Sequence, residues 1–151
     1  MNKKQSVTNK VFQIATVVSF TFFMGIAAVQ ASDQESECFS DIQGKIAWND
    51  NKDLNWDAEN VKQLCQGTSK PSEPGKCFQK LKSGQVSWGK SSTWEWKNIV
   101  KLCSGTNDAE KTVACFTKGM SVEGTDWRDA ILTCQRSSGS HSKDNQLDWN
   151  K

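Results

Sequence analysis

The sequence predicts a small all-α fold of three tandem helical-hairpin repeats of about 38 residues, each closed by one disulfide. Cys-Phe recurs at residues 38, 77 and 115, which gives intervals of 39 and 38 residues. Each pair is followed by a closing cysteine, at Cys65, Cys103 and Cys134, and the ten residues that end at each closing cysteine align without gaps. Because several residue types coincide at one period, we interpret the chain as a repeat protein.

Residues 1–31 are predicted to be a secretory signal peptide. A lysine-containing start without acidic residues precedes an apolar run, and Val29-Gln30-Ala31 places small residues where a signal peptidase cleaves. A retained membrane anchor is the alternative, because the run approaches the ~20 residues that a spanning helix needs. Polar residues within the run favour cleavage. We therefore expect a periplasmic or extracellular protein without a membrane partner after cleavage.

The charge of the exported chain argues against nucleic acid as a partner. Cleavage removes three of the 19 basic residues and none of the 17 acidic ones, so the formal charge changes from +2 to −1. A protein that binds a phosphate backbone needs a basic stripe, and none remains.

The six cysteines all follow residue 31, and an even number in a small exported chain is typical of a disulfide framework. Zinc sites use closely spaced cysteine pairs, often with histidines. The chain has no Cys-x-x-Cys, and its single histidine, His141, lies in a polar segment. The acidic loop from Asn49 to Glu59 lacks the glycine and the glutamate of an EF-hand. We expect no metal and no cofactor.

The opening segment of each repeat, from Cys-Phe onward, is predicted to be a helix of barely two turns. It ends at a glycine in each repeat, namely Gly44, Gly84 and Gly119. The repeats span 38–67, 77–105 and 115–136 within one domain at 32–136, and the third lacks roughly seven residues in its middle. Residues 137–151 are predicted to be a polar, flexible tail.

The closing segment of each repeat is predicted to be an amphipathic helix. Its apolar residues fall on one stripe, which in repeat two consists of Trp96, Ile99, Val100 and Cys103. Gly67 and Gly105 follow the first two closing helices, where glycine adopts a left-handed C-cap without a steric penalty. Trp96 and, in repeat three, Trp127 are expected to pack on the disulfide as core residues.

The spacing of the cysteines is compatible with two sets of disulfides. The start of the first helix of an antiparallel hairpin lies beside the end of the second, which favours Cys38–Cys65, Cys77–Cys103 and Cys115–Cys134. The constant 12-residue spacing between repeats supports the alternative, which consists of Cys65–Cys77, Cys103–Cys115 and Cys38–Cys134. We expect the first set, because the shorter middle of repeat three leaves the ends of its hairpin in register.

Four further tryptophans are candidate ligand-binding residues, namely Trp48, Trp56, Trp88 and Trp94. Trp56 and Trp94 lie on a polar helix face, and Trp48 and Trp88 end short stretches in the loop of their repeat. One interpretation makes them structural, as hydrophobic staples and buried lids. The other makes them a repeated aromatic surface, because loop tryptophans are enriched in recognition sites.

The pattern Cys-Phe…Trp-x-x-Ala/Ile-x-x-x-Cys-x-Gly resembles short cysteine-bracketed tandem repeats of exported bacterial proteins, over residues 38 to 136. This resemblance supports the repeats and implies no activity. The repeats contain no histidine for a nucleophile–base pair. We therefore expect a non-catalytic binding protein for a glycan, a cell-wall fragment or a protein partner. The alternatives are an inhibitor of a hydrolase and an enzyme that uses carboxylates alone.

Overall fold

The computed structural model describes residues 33–88 and 92–137, and this part of the chain contains six α-helices and no strand. Their bounds are Asp33–Ile42 (α1), Ala58–Cys65 (α2), Ser72–Lys82 (α3), Trp96–Cys103 (α4), Ala109–Met120 (α5) and Trp127–Ser137 (α6). The all-α class is confirmed. None of these helices has the length and apolar character that a membrane span requires. The predicted signal peptide, and residues 138–151 of the predicted tail, lie outside the described residues.

The helices lie in two adjacent rows. The odd row consists of α1, α3 and α5 and the even row of α2, α4 and α6, with each helix in contact with the next in its row. Across the rows, α1 packs on α2, α3 on α4, and α5 on α6.

The helices of the even row run parallel to one another. The N–H of Gly105, just past α4, donates to the Leu64 carbonyl near the end of α2 at 2.8 Å. The Gln135 side chain near the end of α6 donates to the Lys101 carbonyl near the end of α4. Both contacts join the C-terminal ends of neighbouring helices. The N-terminal ends of α2, α4 and α6 therefore share one side of the molecule, which we call the N-terminal edge.

Three disulfides join the rows, and they are the set favoured by the hairpin geometry. Cys38–Cys65, Cys77–Cys103 and Cys115–Cys134 have Cα–Cα distances of 5.7, 5.6 and 5.7 Å. The alternative set is wrong. Each bond closes a loop of 27, 26 or 19 residues, and a loop of this length is worth about 3 kcal/mol in the chain-entropy account.

The helices of the odd row are longer than the sequence predicted. They have 10, 11 and 12 residues and begin before their cysteines, which lie in mid-helix. Pro74 lies in the first turn of α3. Backbone N–H groups in a first turn have no acceptor within the helix, so the absence of an N–H on proline costs no hydrogen bond there. Asp108 caps α5 by accepting a hydrogen bond from the Lys111 N–H at 2.9 Å. The prediction of barely two turns is wrong. It placed the start of each helix at Cys-Phe and did not take Pro74 and Asp108 as signs of an earlier start.

Two of the three glycines predicted to end the opening helices do so, and the exception is Gly119 in the third of these helices. Gly44 and Gly84 have φ values of 74° and 76° just past α1 and α3, as expected of helix ends. Helix α5 instead continues through Gly119 to Met120, and the left-handed glycine is Gly124, with φ 82°. A Cβ on Gly119 would lie 3.4 Å from the Ala130 side chain. Glycine here serves the close approach of α5 and α6.

The core is one continuous cluster that runs between the two rows. Its largest fully buried side chains are Phe78, Phe116, Ile42, Leu64, Leu81, Ile99, Leu102 and Ile131. Burying each of these side chains is worth roughly 1.5–3 kcal/mol. The closing helices α2, α4 and α6 contribute most of the apolar stripe that their sequence predicts, but the first residue of the stripe, Ala58, Trp96 or Trp127, is exposed or only half-buried.

Glu73 of α3 links neighbouring helices of the odd row. Its carboxylate accepts a hydrogen bond from the Ala109 N–H at 2.9 Å and pairs with the Lys76 ammonium at 2.8 Å. The Ala109 hydrogen bond lowers the pKa of Glu73 from its ordinary value of 4.5, and Lys76 lowers it further. A carboxyl group with a lowered pKa stabilises the fold above its ordinary pKa. That contribution is lost as the pH falls through the folded-state pKa.

Glu73→Gln is expected to lower the free energy of unfolding at pH 7 by about 1–2 kcal/mol, because it removes the charge from the hydrogen bond. The difference from wild type should shrink below pH 4.5, where unfolded wild type takes up the proton. Urea unfolding followed by circular dichroism at several pH values measures both effects. Glu59→Gln is the control, because the Glu59 side chain is 78% exposed beside Lys62 and its pair should contribute little. A Glu73→Gln effect of equal size at pH 3 and pH 7 would contradict the linkage.

Candidate functional site

Two of the four candidate tryptophans, Trp56 and Trp94, are core residues. They are 6% and 5% exposed. Trp56 packs against Phe78 and Trp94 against Phe116, with ring centroids 4.8 and 4.9 Å apart. Of the two interpretations that the sequence left open, burial supports the structural one for Trp56 and Trp94, and these two side chains do not belong to the aromatic surface that the other interpretation predicted.

The indole N–H groups of these buried tryptophans bind the main chain of their own loop. Trp56 Nε1 donates to the Ile46 carbonyl at 2.7 Å, and Trp94 Nε1 donates to the Val86 carbonyl at 2.8 Å. A buried indole needs such an acceptor, because an unpaired N–H in the core costs free energy. Each loop is thereby tied to the start of its closing helix.

The other four tryptophans in the described residues form two half-buried pairs. Trp48 contacts Trp96 with ring centroids 5.5 Å apart and planes at 74°. Trp88 contacts Trp127 at 6.2 Å and 70°. We call these aromatic pair one and aromatic pair two. In each pair, a loop tryptophan of one segment contacts the first residue of the closing helix of the following segment, which is α4 for Trp48 and α6 for Trp88.

Trp96 and Trp127 are thus less buried than the sequence predicted. Both are only partly covered and pack at the margin of the core. The apolar stripe of a helix identifies the side that faces inward. How far the first residue of the stripe is buried depends on the residue from another segment that packs against it. The covering residue is a tryptophan 48 positions before Trp96 or 39 positions before Trp127, which the periodicity of one helix cannot reveal.

A cation lies over one indole of each aromatic pair. The Lys97 ammonium is 5.7 Å from the Trp96 ring centroid, and the Arg128 guanidinium is 4.3 Å from the Trp127 ring centroid. Such contacts are favourable by about 0.5–1 kcal/mol at exposed sites. The two pairs therefore share their geometry and the sign of the adjacent charge. Arg128 also pairs with Asp126 at 3.6 Å.

A cleft of about 220 Å³ lies at aromatic pair two. Its lining consists of Trp88, Thr93, Trp94, Glu95, Asn98 and Trp127. Thr93 and Glu95 are exposed and Asn98 is half-buried, so polar side chains meet the indole rings at its rim. We take this cleft as the candidate site.

Glu95 differs from the residues at the same position of the other closing helices. Asp57 accepts a hydrogen bond from the Glu59 N–H at 2.8 Å, and Asp126 accepts one from the Arg128 N–H at 2.7 Å. Both carboxylates thus cap their helices. Glu95 occupies the N-cap of α4 but makes no such side-chain hydrogen bond. Glu95 is instead one of the residues that line the cleft. The sequence signal was the replacement of aspartate by the longer glutamate.

A second cavity of about 290 Å³ lies between α1 and α3, and it is a weaker candidate. Asp41, Lys45 and Lys76 are among its lining residues. Lys45 pairs with Asp41 at 3.3 Å, and Lys76 pairs with Glu73 at 2.8 Å. Each of these charged groups is therefore already in an ion pair, Lys45 with Asp41 inside the lining and Lys76 with Glu73 outside it.

The lining of the candidate cleft offers indole rings for apolar contact and polar side chains for hydrogen bonds. Glu95 is the one carboxylate among its lining residues. Within residues 33–88 and 92–137, no group of three or more histidine, cysteine, aspartate or glutamate side chains could hold a metal ion. The ligand-binding role of the tryptophans stays a prediction.

No family model, curated protein or solved structure matches this chain. The function is therefore inferred from the two aromatic pairs, their cations and Glu95.

Trp94→Phe is expected to lower the free energy of unfolding by about 1–3 kcal/mol, because the buried Val86 carbonyl loses its donor. Trp94→Ala also leaves a cavity beside Phe116 and should cost about 3–5 kcal/mol. Denaturant unfolding of the oxidised protein measures both. Trp88→Phe is the matched control, because its indole N–H donates to the Thr93 carbonyl at an exposed position, 3.2 Å away. Equal losses for the two phenylalanine variants would contradict a core role specific to Trp94.

Proposed function

We propose that this protein is an exported, non-catalytic binding module that takes a glycan or cell-wall fragment in the cleft at aromatic pair two. The observation that carries the proposal is the cleft itself, which is lined by two half-buried indoles together with Glu95 and Asn98. The proposal includes cleavage of residues 1–31 and a mature chain built as a short array of helical-hairpin repeats.

The side chains of the cleft suit the surface of a sugar. A pyranose ring offers C–H groups on its faces and hydroxyls around its rim. The indole rings of Trp88 and Trp127 supply aromatic faces for the C–H groups. The Glu95 carboxylate accepts hydrogen bonds from hydroxyls, and the Asn98 amide both donates and accepts them.

The size of the cleft also favours a small ligand group. Its volume of about 220 Å³ lies below the roughly 300–1,000 Å³ of pockets that enclose drug-sized ligands. A single sugar ring placed against the two indoles, which contact each other, is in proportion to this space. A protein partner would instead need a wider contact surface around it.

Export and the repeat array are supported by the disulfides and the helix contacts. Three disulfides are typical of small proteins in oxidising compartments. Each links one odd-row helix to the even-row helix that follows it in sequence. Stacked units of this kind present an extended surface, which suits a binding module.

The hydrolytic alternative has no observation in its favour. Glycoside hydrolysis by carboxylates uses a pair of them on opposite sides of the bond, whereas Glu95 is the single carboxylate of the cleft. Inhibition of a hydrolase likewise has no observation of its own, and a protein ligand is an outcome of the test below.

Calorimetric titration of the oxidised protein with cell-wall disaccharides and chito-oligosaccharides tests the proposal. Trp127→Ala should weaken binding at least tenfold, because it removes one aromatic wall. Glu95→Gln should weaken it about fivefold and leave stability unchanged, because the Glu95 side chain does not cap α4. Val122→Ala, at a residue 61% exposed and outside the cleft lining, is the control.

Absence of heat with every fragment would contradict the glycan assignment. So would binding that both cleft variants leave unchanged. If the protein instead captures a purified protein partner and Glu95→Gln weakens that complex, the cleft is a protein-binding site and the glycan proposal is wrong.

A further inference from the structure

We infer that the N-terminal edge binds a linear acidic glycan, with one disaccharide on aromatic pair one and the next on aromatic pair two. This inference rests on the proposed function and extends it from one cleft to a surface that recognises a repeating polymer. The occupant to which we commit is a cell-wall glycan strand freed of its peptides, which carries one carboxylate on every second sugar.

The first argument is that the two aromatic pairs lie on the same side of the molecule. Trp96 is the first residue of α4 and Trp127 is the first residue of α6. Because the even-row helices run parallel, both residues stand at the N-terminal edge. Each contacts a loop tryptophan at nearly the same separation and inclination, 5.5 Å and 74° for one and 6.2 Å and 70° for the other.

The second argument is the spacing of the two pairs. Helices α4 and α6 are direct neighbours in the even row. Packed helices have interaxial distances of about 8–10 Å, so the pairs repeat along the edge at about that distance. An extended β-1,4-linked glycan advances a comparable distance over two sugars. A polymer with a disaccharide repeat therefore presents the same group to both pairs.

The third argument is the charge beside each pair. Lys97 and Arg128 follow Trp96 and Trp127 directly, and each places its cation over the adjacent indole. The Lys97 cation at pair one complements a glycan carboxylate, whereas the Arg128 cation at pair two already pairs with Asp126 at 3.6 Å. Helix α2 starts with Ala58 and Glu59 at the corresponding positions, so the combination of tryptophan and cation occurs at α4 and α6 and not at α2.

The two pairs are not identical in their polar groups. Glu95 lines the cleft at pair two, whereas Asp57 is held in the cap of α2. Pair two therefore offers the fuller set of contacts to a single disaccharide. Pair one adds affinity when the ligand is long enough to reach it, through the high effective concentration of a tethered second unit.

The test compares peptide-free cell-wall glycan fragments of two, four and six sugars by calorimetry with chito-oligosaccharides of the same lengths. The chito-oligosaccharides have the same linkage without the carboxylate. We expect the acidic hexasaccharide to bind at least tenfold more tightly than the acidic disaccharide. Trp96→Ala should reduce this ratio to about one.

Lys97→Gln tests the charge without removing a ring. It should weaken binding of the acidic hexasaccharide several-fold and leave that of the neutral hexasaccharide unchanged. Lys111→Gln removes an exposed lysine of α5 and is the control, with no change expected for either ligand.

Three results would overturn the inference. A disaccharide that binds as tightly as the hexasaccharide would leave the single-cleft function intact and exclude the repeating ligand. Equal affinity for acidic and neutral hexasaccharides would exclude the acidic polymer. Absence of binding by every fragment would exclude this inference together with the proposed function.

Discussion

The packing of an indole from one segment on the phenyl ring of the next is the contact on which the rest of this structure depends. Trp56 lies on Phe78 and Trp94 lies on Phe116, and both phenylalanines are fully buried. Each indole also holds its own loop through a hydrogen bond to a main-chain carbonyl. The same side chain therefore shapes the loop and attaches it to the following pair of helices. Short helices of 8 to 12 residues have little stability of their own and need such tertiary packing.

The candidate surface is a consequence of that packing. Once Trp94 is seated on Phe116, the loop that carries Trp88 lies against the start of α6, and Trp88 meets Trp127. The same relation brings Trp48 to Trp96. The buried tryptophans hold the segments together. The same packing places the half-buried tryptophans at the N-terminal edge. Glu95 becomes available there because, unlike Asp57 and Asp126, it does not cap its helix.

The disulfides complement this packing. Each joins the two helices of one segment, whereas the tryptophans and the hydrogen bonds of Thr68, Ser104 and Glu73 join one segment to the next. Helix pairs of this size bury too little apolar surface to be stable alone. Covalent closure within each segment and aromatic contact between segments therefore supply two independent restraints on the edge that carries the aromatic pairs.

The sequence by itself determined the all-α class, the later part of the apolar stripe of each closing helix and the left-handed Gly67 and Gly105, and it favoured the observed one of two disulfide sets. These features follow from local periodicity, from spacing and from backbone sterics, all of which act within one segment. Only the tertiary structure decided which tryptophans are covered. Trp56 is buried by Phe78 of the next segment, and Trp96 is left half-buried because Trp48 covers only part of it. The burial of a side chain depends on its neighbours in space, and here those neighbours are more than 20 residues away along the chain.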